Sequence, residues 1–468
     1  LNSMLFNHRF TPYIKIFATG VLLFSCTSKK ERLFRSLSPD ESGIHFSNRI
    51  TENDSINILD YEYVYNGSGV GIGDFNKDGL PDIYFAGNMV GNRLYLNRGK
   101  LKFEDITKQA GADGQGKWCT GVAVADINAD GWPDIYVCAS RSTDPLLRRN
   151  MLYINKGNDK NGFPVFNEEA ERYGLADTSY STQAAFFDYD NDGDLDMYLL
   201  IANKIRKGDY PNKYRPKNRK EAQFNTDKLF RNDGRNGDSI PHFTDVSLEA
   251  GINLEGYGLG VNITDINNDG WKDIFVSNDY ITTDLLWINN KNGTFTDKAA
   301  EYFKHTSYSA MGNDVGDINN DGLPDIIELD MNPEDNFRKK TMLNPNNYQN
   351  NQYFDYYNYQ YQYGRNTLQL NRGNRVLQND SVGDPVFSEI SFFSGIAETD
   401  WSWAPLVADF DNDGWRDIII TNGFRKDISD HDFITYRDNS SSIVSKQQLL
   451  DQIPEVKIPN YAFRNNGN

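Results

Sequence analysis

At 468 residues, with 38% apolar and 13% aromatic composition, the chain has room for one large globular domain and is too apolar to be disordered. Its formal charge of −18 weighs against non-specific binding to nucleic acid. Five histidines and three cysteines, scattered without ligand spacing, exclude a metal site of the Cys/His kind.

The N-terminus reads as a secretory signal: basic His8, Arg9 and Lys15, an apolar core from Ile16 to Phe24, then Ser25 and Cys26. The apolar core is too short to span a bilayer as a helix. Leu23-Phe-Ser-Cys26 resembles a bacterial lipobox, which would make Cys26 the lipidated first residue of the mature protein; a cleaved signal with an incidental cysteine is the alternative. The expected division is a signal over 1–26, a polar tether over 27–40 and one folded domain over 41–468. Gly43-Ile-His-Phe-Ser47 has the look of an outer strand lent to the far end of the fold.

From there the chain writes one nine-residue stretch six times, as D-x-[DN]-x-D-G-x-x-D. The oxygen side chains at positions 1, 3, 5 and 9 are Asp74, Asn76, Asp78 and Asp82 in the first loop and Asp126, Asn128, Asp130 and Asp134 in the second. The third carries Asp188, Asp190, Asp192 and Asp196, and the fourth Asp265, Asn267, Asp269 and Asp273. Asp317, Asn319, Asp321 and Asp325 follow, then Asp409, Asp411, Asp413 and Asp417. Four oxygen ligands, a glycine at position 6 for the sharp turn and a main-chain carbonyl at position 7 suit a hard cation, and the implied ion is Ca2+, one per loop. A turn alone needs only one or two of these residues. An EF-hand needs a glutamate at position 12, where this chain has Phe85, Val137, Leu199, Val276, Glu328 and Ile420. The loops supply twenty carboxylates, so six bound ions would bring the formal charge to −6.

Each loop lies between a run of small residues, such as Gly67-Ser-Gly-Val-Gly-Ile-Gly73, and an apolar run such as Asp417-Ile-Ile-Ile-Thr421, and so forms the tip of a β-hairpin. A second hairpin follows with the signature Asn/Asp-x-Leu-aromatic-x-Asn, seen in Asn92-Arg-Leu-Tyr-Leu-Asn97 and Asn150-Met-Leu-Tyr-Ile-Asn155, and then an aromatic strand such as Phe103-Glu-Asp-Ile-Thr107. Four strands per repeat make the blade of a β-propeller, with the small residues at the crowded centre. Successive loops begin at 74, 126, 188, 265, 317 and 409, so the longer intervals hold insertions. Cys119 and Cys138 flank the second loop, and the spacing allows either a disulfide or two buried thiols.

These loops and Asn-x-Leu-Tyr-x-Asn hairpins resemble the FG-GAP/VCBS repeats of integrin-type propellers. With Asp330-Met-Asn-Pro-Glu-Asp-Asn336, Arg365-Asn-Thr-Leu-Gln-Leu-Asn371 and Thr399-Asp-Trp-Ser-Trp-Ala-Pro405, the chain is similar from about residue 40 onward to VCBS-repeat lipoproteins of Bacteroidota. Those are related to cartilage-acidic-protein-like proteins that carry an ASPIC/UnbV domain, and that domain has no counterpart here. The resemblance implies an all-β calcium-binding propeller, six loop-bearing blades of a seven-bladed ring, and no established catalytic activity.

Three insertions remain. Asn203 to Lys220 is rich in lysine and arginine and offers either a polyanion site or a solvated loop. Met331 to Arg365 carries tyrosines among Asn and Gln, of which Tyr356, Tyr359 and Tyr361 are the expected ligand surface for a glycan or protein, with Trp401 and Trp403 beneath or beside them; a packed lid is the alternative. Asp427 to Pro459 has a short helical pattern at Ile443 to Leu450, and Asn460 to Asn465 opens another outer hairpin. The function expected is a non-enzymatic, membrane-anchored binding or adhesion module at the bacterial cell envelope, on an outer membrane and periplasmic or surface-exposed. A calcium-dependent polysaccharide lyase and a polyanion- or RNA-binding protein are the alternatives. No catalytic constellation stands out.

Overall fold

The structure is a computed structural model and describes residues 34–202, 213–217, 226–235, 240–343, 347–378 and 381–467. The chain divides after Ser38, and everything that follows concerns the unit Pro39–Asn468. Cys26 and most of the basic segment Asn203 to Lys220 lie outside the described residues.

Six antiparallel sheets follow one another along the chain. The first is Val70–Gly73, Asp82–Phe85, Arg93–Asn97 and Phe103–Asp105, in that spatial order. Blades 2 to 5 repeat the plan with first strands at Cys119–Ala125, Ser181–Phe187, Gly258–Thr264 and Asn313–Gly316. Blade 6 comprises Asp400–Ala408, Asp417–Asn422 and Tyr461–Phe463, with the two residues Met331–Asn332 paired to the start of its first strand. The protein is therefore an all-β, six-bladed propeller arrangement. No helix among the described residues is long and apolar enough to cross a membrane.

The hydrophobic core is divided among the joints between blades. Second strands such as Asp134–Ala139 are buried along their whole length, because alternate residues face the preceding and the following blade. Ile135 and Val137 pack with Tyr84, Leu94 and Leu96 of blade 1, while Tyr136 and Cys138 pack with Met197 and Leu199 of blade 3. This alternation settles the cysteines. Cys119 is opposite Ala139 in the ladder, so Cys138, one residue away, points to the other face; both are buried free thiols, and there is no disulfide.

Small residues in the first strands admit the neighbouring blade. A Cβ on Gly121 would come within 2.4 Å of Thr182 O, and one on Gly69 within 2.5 Å of Val122 N. Blades 1 and 6 each pack against one neighbouring blade, and their outward faces leave Val70, Ile72 and Leu406 more than half exposed. Gly43 to Ser47 is not a strand on the last blade. It lies extended against blade 1, where Phe46 stacks on Phe85 at 5.0 Å and His45 N donates to Tyr95 OH at 3.3 Å.

The connections from second to third strand all emerge at the end away from the loops, and residues 50–66 run across that end. Arg141 donates to Ser55 O, Tyr63 OH to Asp279 at 2.9 Å, and Lys446 pairs with Asp60 at 2.6 Å, which ties blades 2, 4 and 6 together. Ile58 and Val64 sit there in one cluster with Trp401, Phe424, Phe433 and Leu450. Trp401 stacks on Phe424 at 3.7 Å, and the half-buried Trp403 packs against the same cluster, so these tryptophans belong under the crossing segment and not under the tyrosines. The last insertion folds as helices His431–Ser440 and Lys446–Asp451, the second opened by a Ser445/Gln448 capping box.

The final Asn of four of the hairpin signatures staples one blade to the one before it. Asn155 Nδ2 donates to Phe75 O at 2.9 Å in the preceding loop; Asn289, Asn371 and Asn465 do the same to Tyr189, Ile266 and Ile318. Asn155→Ala leaves the buried Phe75 carbonyl without that donor and should cost about 2–3 kcal/mol in urea unfolding. A loss under about half a kcal/mol would show that the staple is dispensable.

Candidate metal centres and ligand groove

The loops share one internal hydrogen-bond scheme. The carboxylate at position 1 accepts from the amides at positions 5 and 6, as Asp74 does from Asp78 N at 3.0 Å and Gly79 N at 2.8 Å. The carboxylate at position 5 accepts from the amide at position 7. The backbone turns through positive φ at position 4 as well as at the glycine: Lys77, Ala129, Asn191, Asn268, Asn320 and Asn412 lie between +52° and +60°. For Lys77 and Ala129 this conformation is uncommon, and sequence reading missed it because only the glycine announces the turn.

Position 9 joins the loop to the rest of the blade. Asp82 accepts Phe75 N at 2.9 Å on one oxygen and Asn97 N at 2.8 Å on the other, and the equivalent pairs recur at Asp134, Asp196, Asp273, Asp325 and Asp417. Burial pushes five of these acids up, against the pull of the two amides, and the loop carboxylates add to the rise. Asp82 and Asp325 reach about 6, Asp134 and Asp273 about 7, and Asp196 about 8. Burial of the carboxyl, with like charges beside it, accounts for such values.

The third and sixth loops carry Asp at position 3 where the others have Asn. Asp190 Oδ1 and Asp411 Oδ1 are buried with no hydrogen-bond partner, and Asp188/Asp190/Asp196 and Asp409/Asp411/Asp413 bring their oxygens within 4.8 Å of one another. These same two loops are followed on the third strand by an arginine, Arg231 or Arg464, where the other four have Leu96, Ile154, Ile288 and Leu370. Arg464 reaches Asp411 at 2.9 Å and Asp413 at 2.8 Å. In the sixth loop the extra carboxylate is thus matched by a cation on the neighbouring strand, whereas Arg231 pairs with Asp233 at 2.7 Å and acts on Asp190 only through space. The donor set is oxygen throughout, with orphaned oxygens where it is richest, and it fits a hard divalent ion held at positions 1, 3, 5 and 9.

The opposite end holds the tyrosine-rich insertion. Tyr348–Tyr357 is a helix that seats Phe354 against Ile281, Tyr308 and Tyr359. Tyr359 is 9% exposed, bonded to Arg215 O at 2.9 Å and edge-on to Tyr214, so it is packing and not ligand surface. Tyr356 is exposed, and Tyr361, also exposed, donates to Asp355 at 2.7 Å. The helix instead walls a groove of about 300 Å³ lined by Asn347, Tyr348, Asn350, Asn351, Phe354, Gln362 and Tyr363. In the described part of the basic segment Arg215 pairs with Glu255 at 2.8 Å, and Lys217 lies over the Tyr359 ring at 5.3 Å. These two cations are engaged inward.

A profile of FG-GAP-like repeats matches residues 74–137 and 265–327. Cartilage acidic protein 1 of Mus musculus is 24% identical over 392 residues, covering 76% of this chain and 57% of that protein; the Homo sapiens protein is 23% identical over 394 residues, covering 76% and 56%. The chain spans about half the length of these relatives. Among solved structures, an Agrocybe aegerita lectin that recognises non-reducing terminal N-acetylglucosamine aligns with a TM-score of 0.40 at 16% identity, over 85% of this chain and 80% of its own. The V. cholerae biofilm matrix protein Bap1 aligns at 0.28 and 14%, over 56% and 35%. The chain carries FG-GAP-like repeats on a six-bladed propeller and is similar to cartilage acidic protein 1.

Acids whose folded pKa lies above the unfolded value near 4 stabilise the metal-free fold only while protonated. In EDTA the melting temperature should therefore fall between pH 5 and pH 8, through the values of Asp82 to Asp325. With millimolar calcium the ionised carboxylates would serve as the ligands, and the trend should flatten or reverse. Parallel pH profiles with and without calcium would contradict the metal assignment.

Proposed function

We propose that the protein is a non-enzymatic binding module, stiffened by one Ca2+ in each loop, which presents the groove beside Tyr348 to a glycan and is anchored to a bacterial outer membrane through Cys26. A protein ligand bearing similar polar and aromatic groups is the nearest variant of this reading. The observation that carries it is the groove's lining. Aromatic faces stack on the apolar faces of sugar rings, and side-chain amides supply both donors and acceptors to ring hydroxyls. Asn347, Asn350, Asn351 and Gln362 provide the amides, with Tyr348 and Tyr363 beside them. The groove also sits on a connection held by a rigid blade, where recognition residues concentrate.

The division of labour is physical. Loop carboxylates would be taken up by the ions and fix the hairpin tips, which leaves the other end of the propeller for recognition. Tyr348 is 77% exposed, so Tyr348→Ala removes stacking area without opening the core. With Asn351→Ala it should abolish retention on a glycan array while leaving the calcium-supported melt unchanged. Retention equal to that of the unaltered chain would refute the groove.

The anchor is tested separately. In a bacterial host, Cys26→Ser should move the protein from the membrane fraction to the soluble one, because a single thiol carries the acyl chains. A variant that stays with the membranes would count against lipidation at this residue.

A further inference from the structure

The six repeats act as internal controls for one another: the first three share a buried tyrosine contact that ends at blade 4, where Phe275 stands in place of the tyrosine, as Ile327 and Ile419 do in blades 5 and 6. In blades 1 to 3 the first residue of the hairpin signature meets a tyrosine hydroxyl on the second strand. Asn92 Nδ2 donates to Tyr84 OH at 2.8 Å, Asn150 Nδ2 to Tyr136 OH at 3.0 Å, and Tyr198 OH donates to Asp227 Oδ2 at 2.7 Å. In blade 4 the signature residue is Asp284 and the tyrosine is replaced by Phe275. Asp284 Oδ1 keeps its backbone bond from Asn278 N at 2.9 Å, as Asp227 Oδ1 does from Ile201 N at 2.8 Å. Asp284 Oδ2, on a fully buried side chain, has no hydrogen-bond partner.

What faces it is a second acid. Glu328 of blade 5 occupies the position that is Phe85, Val137, Leu199, Val276 or Ile420 in the other blades, and it is 1% exposed. Its carboxyl and that of Asp284 act directly on each other, and Asp330 is the other charge beside Glu328. The remaining neighbours are oxygens and amides. Ser277 Oγ bonds Glu328 Oε1 at 2.7 Å, Thr367 Oγ1 and Ser307 N lie 3.4 Å from Oε2, and the Thr306 side chain lies beside Asp284. Asp330 beside them is already saturated by Ser307 Oγ and the amides of Tyr308, Ser309 and Met331. Two carboxylates taken out of water face to face repel strongly, and the repulsion is relieved by a proton shared between them or by a cation held there. Hydroxyl and carboxylate oxygens with one orphaned lone pair are the surroundings a hard ion requires.

We propose that Asp284 and Glu328 clamp a divalent cation between blades 4 and 5, with Thr306 and Thr367 at its rim, as a site separate from the loops and at the opposite end of the strands. The ion would replace the hydroxyl that Phe275 lacks and would couple the joint beneath the tyrosine-rich insertion to metal supply.

The test is an anomalous difference map from crystals of the full chain grown with manganese chloride. The expected result is a peak at about 2.0–2.6 Å from oxygens of both Asp284 and Glu328. In the double variant Asp284→Asn/Glu328→Leu, which restores residue types used in other blades, that peak should vanish while peaks at the loops remain. Peaks at the loops with none at the pair overturn the proposal, since the carboxyls then share a proton instead. A peak at the pair with none at the loops upholds it and strikes down the calcium reading of the loops. The map of the unaltered chain decides the matter even where the double variant fails to fold.

Discussion

Everything in this propeller hangs on a buried carboxylate at the ninth position of each loop. Its two oxygens are shared between the amide of the loop's second residue and the amide of the third strand, so one side chain fixes the hairpin tip to the neighbouring hairpin. Such a group is expensive to bury, and two amides do not remove the charge. The cost falls when the same carboxylate also serves a cation, because the ion neutralises the cluster while the amides hold its geometry. Fold and metal demand are in this sense one arrangement.

The next level of order is the contact between blades. Second strands are apolar on both faces, first strands are stripped to Gly, Ala and Ser where the next blade arrives, and an asparagine from each of several hairpins reaches back to the previous loop. Stability is therefore local and serial, as in other repeat architectures. Residues 50–66 are the exception, since they bridge blades 2, 4 and 6 at the far end. That end also gathers the long connections, so it is both the best-tied and the most varied surface of the molecule.

Much of this was legible in the residues. Ligand spacing gave the loops, alternation gave the strands, and the recurring Asn-x-Leu-Tyr-x-Asn gave the second hairpin. The misreadings come from places where local pattern does not decide orientation. Nothing in Tyr348 to Tyr363 shows an apolar stripe, so the inward Tyr359 and the outward Tyr356 look alike in sequence. Gly43 to Ser47 has strand composition but finds no ladder; it rests on the ring of Phe85 and the hydroxyl of Tyr95. Cys119 and Cys138 are close in register yet opposite in parity. Glu328 was visible as an oddity at a core position; its partner Asp284 became visible only when Phe275 could be set against Tyr84, Tyr136 and Tyr198 in three dimensions.

The central claim is that the loops are metal sites and that their ions hold the blades together. Native mass spectrometry of the full chain, stripped with EDTA and returned to calcium, tests it most directly. The account predicts uptake of at least one ion for each of the six loops, with loss of one ion when Asp130 and Asp134 are replaced together by asparagine. A reloaded chain that folds and carries no calcium would contradict it.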